Sequence, residues 1–96
     1  MAIRNYELTQ EQAIGIPGFY IPGSEEYAKG LTFKGRDDDR PNPTIEFSVD
    51  GIPNSRCKLT LNPRKPLVQY VDVSAPDEQI ERATGSVQVA LQVELN

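Results

Sequence analysis

The chain has 96 residues, with 10 basic and 14 acidic side chains and a net charge of −4, a length that holds one domain. Leu, Ile, Val and Phe supply a quarter of the residues, above the ~20% below which disorder is expected, so a small folded domain with a modest core is implied. The chain has no His and one Cys, which excludes His-based nucleophilic triads, His-ligated metals, a multi-thiolate zinc site and an intrachain disulfide.

Residues 1–43 are broken by Gly and Pro, whereas residues 44–96 alternate like a β-protein. The organisation expected is therefore an extended N-terminal arm over 1–30 and a single β-domain over 31–96. Within the arm, Thr9-Gln10-Glu11-Gln12 has the form of a capping box and predicts a turn or two of helix to Ala13, stopped by Gly15 and Pro17. Ile16-Pro17-Gly18 and Ile21-Pro22-Gly23 repeat five residues apart. Pro then Gly suits the central positions of a type II turn, with Phe19 and Tyr20 between the two turns. Ser24 to Gly30 reads as a short helix, with Ser24 as cap, Glu25 and Glu26 at the positive end and Gly30 as the stop.

Leu31-Thr32-Phe33-Lys34 alternates as a short strand. Gly35 to Pro43, which contains Asp37-Asp38-Asp39, reads as an exposed loop. In Thr44 to Asp50, Ile45, Phe47 and Val49 share one face. Asp50 to Ser55 connects to Arg56–Leu61, where Cys57, Leu59 and Leu61 point inward. Asn62 to Pro66 turns the chain again. From Leu67 to Val73 both faces are largely apolar, with Val68 and Tyr70 on one side and Leu67, Val71 and Val73 on the other, which predicts a central strand covered on both sides. Pro76 to Gly85 fits a short helix ended by Gly85. Ser86 to Leu95 alternates most cleanly, with Val87, Val89, Leu91, Val93 and Leu95 on one face, and predicts a long final strand. The fold class expected is all-β, mainly antiparallel: a small β-sandwich or open barrel with the Gly/Pro-rich arm and one or two short helices.

The chemistry-bearing residues have structural readings close at hand. Arg36 and Arg40 flank Asp37–Asp39 and can satisfy the carboxylates locally, and the spacing lacks the Gly and distal Glu of a calcium loop. Cys57 reads as a buried small hydrophobe, with Arg56 and Lys58 directed to the opposite face. Glu25, Glu26, Glu78 and Glu81 sit where helix-start acids belong. Arg56, Lys58, Arg64 and Lys65 offer a basic patch, with Phe33, Phe47 and Tyr70 as the available rings. Such a patch would serve a small barrel of the OB type that binds single-stranded nucleic acid, although the acidic balance argues against it. No cofactor, no catalytic set and no membrane span is indicated: no apolar run approaches the ~18–20 residues a bilayer requires. The start lacks a signal-peptide layout, and a free thiol suits a reducing interior.

Two features point to a protein partner. Val87–Leu95 carries no Lys, Pro or Gly, the usual blockers of an edge strand. The arm is stiff and apolar and needs a surface on which to lie. The expected contact residues are Ile14, Ile16, Pro17, Phe19, Tyr20, Ile21 and Pro22, with Arg64 and Lys65 as a salt-bridging surface. On this reading the chain is an oligomer, and residues 1–23 are removable without unfolding the β-domain. In its apolar arm at 14–23, its compact β-domain and its acidic balance, the chain resembles small phage virion proteins of the capsid decoration or cement type. That resemblance implies a β-domain seated on the capsid lattice, with the major capsid protein as partner and the arm across neighbouring subunits, and the localisation expected is then a virion or the cytoplasm.

Overall fold

The computed structural model describes residues 1–16, 29–64 and 67–95. Five strands make one antiparallel sheet: β1 (Ala2–Glu7), β2 (Leu31–Asp37), β3 (Thr44–Val49), β4 (Arg56–Leu61) and β5 (Val68–Ala75), in the spatial order β1-β5-β4-β3-β2. Helix α1 (Gln10–Ile14) follows β1. A 3₁₀ turn at Asp77–Gln79 leads into helix α2 (Ile80–Leu91). Strands β2 to β5 form a meander, and β1 adds to it beside β5.

The mainly antiparallel β character follows from the alternation. Ile45, Leu59 and Val71 lie in cross-strand register, as do Phe47, Cys57 and Val73, and all six are fully buried. Burying a side chain of the Val, Leu, Ile or Phe class is worth about 1.5–3 kcal/mol. Phe33 meets Phe47 edge to face, with ring centroids 6.0 Å apart. Among the described residues the strands form a single sheet, and its two ends, β1 and β2, are not paired with each other. The layer over the apolar face is helical: Ala83, Val87 and Leu91 of α2 join the core cluster with β3 and β5.

The final segment differs from its pattern. Residues 86–91 belong to α2, not to a strand, and residues 92–95 carry no regular structure. The buried positions Ile80, Ala83, Thr84, Val87, Ala90 and Leu91 recur at helical spacing, while Val89 is 78% exposed. Val87 and Leu91 are four apart, so they satisfy both periods. The small residues Ala83, Thr84 and Ala90 decide for the helix by letting it lie close to the sheet. Gly85 does not stop the helix. The stop comes at Gln92, in the left-handed conformation with φ 56°. The tail then folds back, with the Leu95 N–H donating to Gln88 Oε1 at 2.7 Å.

The chain before residue 31 is not all arm. Ala2–Glu7 pairs along its whole length with β5, from Ala2 opposite Ala75 to Glu7 opposite Tyr70. Leu8 and Ile16 are core residues. The capping box forms as expected: Thr9 Oγ1 accepts from the Gln12 N–H at 3.2 Å, and Gln12 Oε1 accepts from the Thr9 N–H at 2.9 Å. The predicted helix at 24–30 and the paired turns at 16–18 and 21–23 fall largely or wholly outside the described residues.

Strand β2 runs past Lys34 to Asp37 by accommodating a bulge between Phe33 and Gly35. Strand β5 lies between two neighbouring strands, but among the described residues only one of its faces is covered. A second bulge shifts the register between Thr60 opposite Tyr70 and Leu61 opposite Val68. The extra residue, Gln69, turns Val68 to the buried face with Val71 and Val73 and leaves Tyr70 outside.

Candidate functional site

The sheet face opposite α2 is polar and ordered by register. One row runs Asn5, Asp72, Lys58, Glu46, Gly35 across the five strands. A second runs Glu7, Tyr70, Thr60, Thr44, Asp37. Lys58 therefore stands between two carboxylates, and Arg56 lies opposite Ser74. The expected basic patch is divided along its length. Of the three rings proposed for it, Phe47 is buried and Phe33 packs against the core, while Tyr70 stands on the open face.

The other chemistry-bearing groups are held locally. In the acidic loop, Arg40 Nε donates to Asp37 Oδ2 at 3.0 Å, Arg36 Nε donates to Asp38 at 3.0 Å, and the Asp39 N–H donates to Asp37 Oδ1 at 3.0 Å. Cys57 is fully buried on β4, away from Arg56 and Lys58. Burial pushes its thiol pKa up to about 12, with the Asp72 carboxylate adding to the shift. Such a thiol is a poor nucleophile, because the thiolate is the reactive form. Glu81 pairs with Arg4, which ties β1 to the start of α2. Hydrogen bonding to Tyr6, and then to Glu81, raises the Arg4 pKa above its ordinary value.

The expected contact residues separate. Ile14 is 64% exposed at the end of α1, whereas Ile16 is buried in the core and is not available as a contact. Pro17, Phe19, Tyr20, Ile21, Pro22 and Lys65 lie outside the described residues. Arg64 is exposed at the β4–β5 turn, where its N–H donates to Asn62 Oδ1 at 2.9 Å. It borders a groove of about 300 Å³ with Leu8, Ala13, Leu67 and Gln69.

The surface that sequence reasoning missed is the outer edge of β1. The Leu8 N–H donates to Gln69 O at 2.9 Å. In an antiparallel ladder this bond fixes the phase: Ala2, Arg4 and Tyr6 direct their backbone groups to β5, and Ile3, Asn5 and Glu7 direct theirs outward. Among the described residues nothing pairs with that edge. Ile3 is 65% exposed beside it. The segment alternates, but its apolar residues fall on both faces, Ile3 on one and Tyr6 on the other, so the hydrophobic pattern does not announce a strand.

No protein-family model, curated protein or solved structure matches the chain.

Proposed function

We propose that this chain is a non-enzymatic structural protein that acts by assembling with protein surfaces, as a capsid decoration or cement protein does. The observation that carries this reading is the β1 edge: six residues without Pro, Gly or a bulge, backbone groups turned outward, and an exposed isoleucine alongside. Such an edge is a template for another strand unless it is blocked. The opposite edge, β2, is interrupted by its bulge. The inert thiol and the locally neutralised carboxylates support a role in contact rather than chemistry. Ile14, Pro17, Phe19, Tyr20, Ile21 and Pro22 belong to the same proposal as contacts with the partner, whereas Ile16 is held in the core.

The alternative, a small OB-type binder of single-stranded nucleic acid, is disfavoured by the carboxylates beside Lys58 and the inward phenylalanines. Titration of a labelled single-stranded oligonucleotide at low salt separates the two readings. The assembly reading expects no binding there, and light scattering should give an oligomeric mass insensitive to salt. Tight binding that weakens steeply with added salt would replace it with the nucleic-acid reading.

A further inference from the structure

Resting on that reading, we infer that the partner of the β1 edge is a second copy of this chain, joined antiparallel about Asn5 to make a continuous ten-stranded sheet. The outward backbone groups belong to Ile3, Asn5 and Glu7, so hydrogen-bonded pairs across the new interface must be drawn from these residues. Setting Asn5 opposite Asn5 places Ile3 opposite Glu7 and Glu7 opposite Ile3. All three outward residues are then engaged, for about six hydrogen bonds at two per pair.

The side chains agree with this register. Arg4 falls opposite Tyr6 of the second copy, and no like charges face each other. Sliding the centre to Arg4 would set the two Arg4 guanidinium groups opposite each other, which is destabilising, and sliding it to Tyr6 would leave Ile3 without a partner. Ile3 is 65% exposed in the single chain and would be partly covered by the aliphatic stem of Glu7 from the other copy. Strand β2 offers no comparable self-match, because its bulge interrupts the ladder between Phe33 and Gly35.

The test uses variants of the chain that each carry one added cysteine, under mild oxidation. The buried Cys57 does not compete. In N5C the two new cysteines have Cα atoms about 5.5 Å apart across the dyad, within disulfide range. In I3C they are four residues out of register, about 13 Å along the strand, and beyond it. The expected result is that N5C forms a covalent dimer and I3C does not. Asn5→Pro removes an N–H that faces the edge rather than β5, so this variant should keep its circular dichroism and sediment as a monomer. Equal cross-linking of N5C and I3C, or a dimer that persists in Asn5→Pro, would overturn the Asn5 register while leaving assembly through another surface intact. A wild-type chain that stays monomeric would overturn self-pairing itself. If Asn5→Pro does not fold, the cysteine comparison decides alone.

Discussion

Val89 and Leu91 share a face if residues 86–95 are a strand, and they part company if the segment is α2. In the structure Leu91 is fully buried within the core cluster and Val89 is 78% exposed. Leu91→Ala removes buried methyl groups and leaves a cavity, which costs about 2–5 kcal/mol. For a domain of this size each kcal/mol shifts Tm by roughly 4–8 °C, so a fall of at least about 8 °C is expected. Val89→Lys exchanges an exposed β-branched residue for a better helix former and should change stability by no more than about 0.5 kcal/mol. Thermal melts followed by circular dichroism read both variants. Comparable destabilisation by the two would refute the helix and restore the inward-facing strand.

Gly85 lies inside α2 with open space where a Cβ would stand, so Gly85→Ala should stabilise the fold by about 0.5–1 kcal/mol in chemical denaturation. A loss of stability would mean that the position is not helical. Cys57 should resist an aromatic disulfide reagent until the protein unfolds; rapid labelling of the native chain would contradict its burial. Its thiol pKa is raised in the folded state, so the associated stability is complete below pH 9.0, the ordinary value, and is lost as pH rises toward about 12. Relative to Cys57→Ala, the wild type should lose stability as pH rises across that window, and parallel pH profiles would refute the assignment. Deleting residues 1–8 removes β1 and the buried Leu8, so the truncated chain should melt far earlier or fail to melt cooperatively. An unchanged melt would return this segment to the status of a free arm.

The central strands were legible because one face of each is buried: Ile45, Phe47 and Val49, then Cys57, Leu59 and Leu61, alternate without interruption. The capping box at Thr9 and Gln12 was legible because it is a local exchange of hydrogen bonds. The two-sided appearance of β5 came from Gln69, a bulge residue that reverses parity and that periodicity cannot reveal. The start of α2 was legible as the short helix at 76–85, but its continuation over 86–91 was hidden because Val87 and Leu91 fit both periods and the buried Ala90 carries little hydrophobic signal. Tertiary context outweighed the β-propensity of Val87 and Val89: the apolar face of one sheet needs a cover, and the C-terminal segment supplies it. The β1 edge could not be read as a contact surface until its register with β5 gave the phase of its free backbone groups.

Sedimentation equilibrium of the full-length chain across a concentration series tests the claim of assembly most directly. The account predicts a reversible rise in average mass from 10.7 kDa toward twice that value as concentration increases. A mass that stays at 10.7 kDa at every concentration would contradict it.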